Sequence, residues 1–230
     1  MTAGGQGAVA VPAGPGRVEA VCRVHAERAS GTRRVPRTAI DKRPVDGPVA
    51  VGELGLTGDH VCDTEHHGGV HKAVYAYQEA EALCWAAELG RDLPAGWFGE
   101  NLRVSGIETS DAVIGSRWRI GDTLELEVTG PRTPCGTFGV WSGEPGWVKR
   151  FAERGDTGAY LRVTRPGPVS AGDPVAVVHV PGHGVTVRDL FTGRDPEGLV
   201  ALLAQQPGLS PSVEDKARRR ISGLKVRVEH

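Results

Sequence analysis

The chain has 230 residues, with 27 Lys plus Arg against 28 Asp plus Glu and a formal net charge of -1, which excludes a global electrostatic pull towards nucleic acid or an anionic membrane and requires any basic site to be local. This length buries a sizeable core without disulfide or metal staples. The 33 glycines and 16 prolines mark many turns and favour short strands over a helical bundle, so a mainly β fold is expected.

The opening MTAGGQGAVAVPAGPG lacks the basic start and sustained apolar run of a secretion signal, and residues 1–16 read as a disordered leader. No stretch approaches the apolar length of a membrane span. Val18 to His25 has strand character. Gly31 to Asp46, containing RRVPRTAIDKRP, reads as a basic polar connection in which Arg33 and Arg34 are surface or site residues. Val49 to Leu56 reads as a strand, and GDHVCDTEHHGG then crowds Asp59, Asp63, Glu65, His66 and His67 into an irregular stretch. Asp59, directly after Gly58, reads as a turn-closing residue.

His71 to Tyr77 returns to strand. Over Glu79 to Leu89, Ala80, Leu83, Cys84 and Ala87 recur at helical spacing, which puts Cys84 on a core face. Arg117 to Ile120 and Thr123 to Val128 form a hairpin turned by Gly121-Asp122, with Leu124, Leu126 and Val128 on one face. In PRTPCGTFGVW, Pro131 and Pro134 stiffen the backbone around Arg132 and present Cys135 in a defined loop. Trp147, Val148 and Phe151 give a helix stripe ending at Gly155, and Tyr160 to Val163 and Pro174 to Val178 are closing strands. From Val185 onwards, three short apolar stripes predict a three-helix appendage, with Arg218, Arg219 and Arg220 on a solvated face.

Cys22, Cys62, Cys84 and Cys135 form no CxxC pair, so a zinc knuckle or dithiol redox motif is absent and free thiols in a reducing cytoplasm fit best. Cys22, Cys62 and Cys84 read as structural. A reactive cysteine needs a positive, partly exposed setting that favours thiolate, and Arg132 offers one to Cys135.

The segments TAIDKRPVDGPV, VGELGLTGD, HHGGVHKAVYAY, FGENL, IGSRWRIGD and PRTPC, in this order, resemble bacterial MOSC proteins from about Arg37 to Val178, and the tail beginning HGVTVRDLF resembles their C-terminal extension. The resemblance implies a MOSC β-barrel over 17–180 with peripheral helices, and a C-terminal helical extension over 181–230. It also implies a molybdenum cofactor whose metal is ligated by Cys135, a reduction of N-hydroxylated purines or amidoximes to amines, and electrons from a separate reductase. A soft thiolate suits molybdenum already held by a pterin dithiolene. The cofactor's phosphate wants cations and hydroxyls, for which Arg37, Thr38, Lys42, Lys72 and Arg132 are the nearest supply.

Asn101 matches an Asn of a related FRPN-type motif and is carried over as a pterin contact, with Glu100 beside it; the alternative for Asn101 is a turn residue bonding its own backbone. His67, against the glycine pair, is favoured over His66 as a donor to an oxo group or phosphate, the alternative being that both satisfy loop carbonyls. His71 stands where relatives commonly have Asp.

Two rivals remain. Cys135 can carry a persulfide in cofactor sulfuration, and the family's association with pyridoxal phosphate leaves only Lys72 as a Schiff-base lysine. A zinc or iron hydrolase would use Asp59, Asp63, His66, His67 and His71. The lead reading predicts an open, cation-lined cleft beside Cys135.

Overall fold

The structure is a computed structural model that describes residues 16–33 and 35–228, without the side chains of Glu65, His66 and residues 224–228. The expected leader and Arg34 lie outside the described residues, except that Gly16 already belongs to the first strand. The strands are β1 (Gly16–Ala29), β2 (Arg37–Pro44), β3 (Val49–Gly52), β4 (Gly55–Leu56), β5 (Val74–Gln78), β6 (Leu102–Ser105), β7 (Arg117–Ile120), β8 (Leu124–Pro131), β9 (Ala159–Arg165), β10 (Gly167–Val169) and β11 (Pro174–His179).

Seven of them close a barrel in the order β1, β11, β7, β8, β9, β5, β6 and back to β1. Only β5 and β6 run parallel. The hairpin from Arg117 forms as expected, with Trp118 opposite Leu126 and Ile120 opposite Leu124. Leu124, Leu126 and Val128 point inwards and are at most 1% exposed, each contributing about 1.5–3 kcal/mol of hydrophobic stabilisation. A small second sheet, β10-β3-β4, packs alongside, so the single strand expected over Val49 to Leu56 is a tight hairpin.

The first strand outlasts the barrel. Bulges between Val18 and Ala20, and again after Val24 and after Ala26, bend β1, and its far half leaves the ring as an arm paired with β2. The segment expected to be a basic loop is therefore partly a strand. It lacks period-2 hydrophobicity because Asp41 and Lys42 are themselves buried, Asp41 against Arg28 and Lys42 against Asp59.

The helices are α1 (Thr64–His67), α2 (Glu79–Leu89), α3 (Gly136–Ser142), α4 (Trp147–Arg154), α5 (Val187–Thr192), α6 (Pro196–Gln205) and α7 (Pro211–Val228). Helix α2 lies where expected but is rotated: it buries Ala82 and Trp85 with Glu81, leaving Cys84 exposed and Leu83 60% exposed. Trp85 decides the rotation, since its ring packs on Trp147 at 4.6 Å and on Phe151 at 6.0 Å, an area no pairing of Leu83 with Cys84 matches. The expected strand His71 to Tyr77 begins as a 3-10 turn over Val70–Lys72.

Two cores result. The barrel core takes in Val187, Leu190, Leu199, Leu202, Val213 and Ala217 from the three C-terminal helices, so these helices cap the barrel. Gly130 permits this, because a Cβ there would meet Val213 Cγ2 at 3.0 Å. Outside the barrel, Tyr77, Trp85, Phe98, Phe138, Trp147 and Phe151 form an aromatic core. It supports the segment that carries Cys135.

Candidate functional site

Strand β8 runs out at Pro131, and Pro134, which has no N–H to extend a ladder, turns the chain into α3 with Cys135 as its extended N-cap residue. Phe138, one turn on, anchors this loop against Phe151 at 5.2 Å and Trp147 at 5.5 Å. Cys135 consequently sits half-buried on the wall of a cleft of about 800 Å³.

The structure brings Arg37, Thr38, Lys42, His67, Lys72, Asn101, Arg132 and Cys135 to this one cleft. They differ in what they leave available. Arg132 is buried, donates to the Phe98 carbonyl at 2.6 Å, and lies over the Phe138 and Tyr75 rings at 4.1 and 5.2 Å. Although burial opposes its charge, Tyr75, Tyr160 and Cys135 hold its pKa above the ordinary value. No carboxylate faces it among the described residues.

The other cations are partly committed. Lys42 is buried in an ion pair with Asp59, and burial holds its pKa below the usual lysine value. Arg37 is largely exposed and paired with Glu27 at 2.5 Å. The Thr38 hydroxyl accepts from Ile40 N–H within its own strand. Lys72 lies 5.8 Å from the Tyr160 ring centroid, its pKa lowered by burial and raised in part by Asp63.

Asn101 is neither a free ligand nor a local turn residue. Its Oδ1 accepts from Tyr75 N–H, and its Nδ2 donates to the Cys22 carbonyl and, at 2.8 Å, to Asp59. The Asp59 backbone closes the expected turn onto Leu56, but its carboxylate also accepts from Val24 N–H and Lys42. Asp59, whose side chain is 10% exposed, is thus the anchor of the cleft floor. Glu100 points elsewhere: fully buried, it accepts from Gly96 N–H and Arg103, and fastens the loop before Asn101. A Cβ on Gly96, which sits at φ +91, would lie 2.2 Å from the Lys42 carbonyl, so this loop reaches the site only through a glycine.

His67 Nδ1 lies 3.3 Å from the Tyr160 hydroxyl, and burial keeps that hydroxyl neutral by raising its pKa. The side chain of His66 lies outside the described residues. His71 lines the cleft with a buried Nδ1 that has no partner among the described residues. The histidines and carboxylates expected for a hydrolase form, among the described residues, no group of three close ligand side chains. Among the described residues, the one group of three close ligand side chains is Glu27, His60 and Cys62.

Lys216 is the residue that sequence reasoning missed. Helix α7 carries it into the cleft wall, where Nζ donates to Thr133 Oγ1 at 3.0 Å. Burial, then Arg220, Arg219 and Lys72, push its pKa down to about 8. Its sequence signal, one lysine in EDKARRR, is indistinguishable from a solvated face.

A thiol, a buried guanidinium that faces no carboxylate among the described residues, two lysines and an imidazole nitrogen without a partner among them suit an anionic group bearing a soft metal. The cleft therefore fits a phosphorylated metal cofactor. No helix of the described residues is long and apolar enough to cross a membrane.

Residues 63–176 match the model of the MOSC domain. The chain is 32% identical over 151 residues to the uncharacterized protein YflK of Bacillus subtilis (strain 168), covering 66% of this chain and 68% of YflK. It is 31% identical over 147 residues to a protein named Reductase from Gibberella moniliformis (strain M3125 / FGSC 7600), covering 63% of this chain but only 26% of that longer protein. The crystal structure of YiiM from Geobacillus stearothermophilus superposes with a TM-score of 0.72 at 25% identity, over 90% of this chain and all of that one. A closed barrel with this cleft, a matching domain model and a relative of this identity and coverage agree: the chain belongs to the MOSC domain family.

Proposed function

We propose that the protein binds the molybdenum cofactor in the cleft, with Cys135 as the protein ligand to the metal, and reduces N-hydroxylated small molecules such as hydroxylamino-purines or amidoximes. MOSC membership and the relative named Reductase support the reading. The observation that carries it is the half-buried Cys135 thiol beside Arg132, a buried cation that faces no carboxylate among the described residues.

When bound, the cofactor supplies the two-electron couple. Reduction of R–NHOH consumes two electrons and two protons and releases R–NH2 and water, the N–O bond breaking. The chain's own part is to bind and to manage protons. Cys135 holds the metal, while Arg132, Lys72 and Lys216 bind the cofactor's anionic end. His67 passes a proton through the Tyr160 hydroxyl, 3.3 Å from its Nδ1, to the departing oxygen. Asn101 and Lys42 act indirectly, by holding Asp59 and the cleft floor. A separate cytoplasmic reductase delivers the electrons.

Protein purified from a host that makes the cofactor should reduce an N-hydroxylated base with an artificial electron donor, and Cys135→Ala should not. Molybdenum-loaded protein without turnover would defeat the reductase reading. Cyanide-releasable sulfur on Cys135 without molybdenum would instead establish the sulfur carrier.

Lys216 gives this reading a pH signature. With its pKa pushed down to about 8, the ammonium is charged below that pH and lost above it, whereas an ordinary lysine keeps its charge to about 10.4. Affinity of the cofactor-free protein for a phosphorylated pterin should fall as pH rises from 7 to 9, and Lys216→Arg should flatten the fall. Identical profiles for the two proteins would refute the assignment.

A further inference from the structure

The geometry points to a metal site at the mouth of the cleft, separate from Cys135, in which Glu27, His60 and Cys62 bind one Zn²⁺ and leave a fourth position for water. Glu27 lies on the arm of β1, beyond the barrel. His60 and Cys62 lie two residues apart in the irregular segment after β4. One ligand atom from each residue, the Glu27 carboxylate oxygen, a His60 ring nitrogen and Cys62 Sγ, lies within 4.8 Å of the other two. His60 Nε2 is 3.0 Å from Glu27 Oε1.

A tetrahedral zinc with bonds of about 2.0–2.3 Å spaces its ligand atoms roughly 3.5 Å apart. Adjustments of about an ångström convert the observed cluster into that arrangement. An exposed histidine–glutamate contact alone would mean little, but convergence of a sulfur on the same point changes the chemistry. Thiolate and imidazole together select zinc over magnesium or calcium.

The surroundings fit as well. Arg37 grips Glu27 Oε2 at 2.5 Å and leaves Oε1 turned towards His60. Burial and Glu27 raise the Cys62 pKa, and the Ala39 backbone amide opposes that rise, the kind of outer contact that orients a metal-bound thiolate. Bound zinc would tie the arm of β1 to the segment after β4, bracing two sides of the cleft mouth. Nothing in the proposed reduction uses Cys62, so this site stands or falls independently of it.

The test is calorimetric titration of the full, metal-free chain with Zn²⁺, repeated with Co²⁺ to detect thiolate-to-metal charge transfer. One metal per chain is expected, with binding and the cobalt–thiolate band unchanged in Cys135→Ala. Because loss of outer contacts alone costs about 10–100-fold in metal affinity, Cys62→Ser and His60→Ala should each lose at least about 100-fold. Cys62→Ser should also lose the charge-transfer band. The side chain of His60 is 50% exposed, so its variant folds even if the cysteine variant does not. No saturable binding, or binding that survives both mouth variants and disappears in Cys135→Ala, would overturn the site.

Discussion

Arg132→Met should weaken binding of the cofactor by about 10- to 150-fold and cost the cofactor-free protein about 1–3 kcal/mol of stability. A charged hydrogen bond contributes roughly 1.5–3 kcal/mol, and at 1.4 kcal/mol per tenfold that is the stated loss of affinity. The stability cost arises because the buried Phe98 carbonyl loses its donor and an unsatisfied acceptor costs about 1–3 kcal/mol, while the other neighbours, the Phe138 and Tyr75 rings and the Tyr75 and Tyr160 hydroxyls, leave no opposite charge unpaired. Thermal melting of the cofactor-free variant and a binding titration read the two effects separately. A variant that melts far below the wild type while binding normally would make Arg132 a structural residue only.

The second large effect is on stability. Asp59→Ala leaves the Lys42 ammonium buried without its partner and also strips acceptors from Val24 N–H and Asn101. Breaking a buried pair from one side costs about 3–5 kcal/mol, and at about 2–4 °C per kcal/mol for a chain of this size the melting temperature should drop on the order of 10 °C. Lys42 already has a pKa below the ordinary lysine value, and without Asp59 it falls further. Between that lowered value and about 10.4, the unfolded chain binds more protons than the folded one, so the variant's stability rises with pH across this window. Adding Lys42→Met should recover much of the loss. A drop below about 1 kcal/mol for Asp59→Ala alone, which is the range of exposed pairs, would show that the pair is not the anchor described.

Where hydrophobic period and burial coincide, the fold was legible. Leu124, Leu126 and Val128 alternate around the turn at Gly121-Asp122, and they line the barrel. Strand β2 was not legible, because its buried members include Asp41 and Lys42, whose burial depends on partners 13 and 17 residues away. Cys84 and Leu83 misled because one tryptophan outweighs two smaller apolar residues in setting the face of a short helix. At the site, motif order pointed to Cys135 and Arg132 together, and both line the cleft, since they sit in one loop. Lys216 and the Glu27–His60–Cys62 cluster were invisible, because each exists only through a long-range approach: α7 docking at Gly130, and the β1 arm crossing the segment after β4.

The proposed reduction depends on the Cys135 thiol holding molybdenum. Elemental analysis of the wild type and Cys135→Ala, both purified from a host that makes the cofactor, addresses this directly. Roughly one molybdenum per chain in the wild type and little in the variant, with both folded, is the expected result. Equal molybdenum in the two proteins would contradict the account.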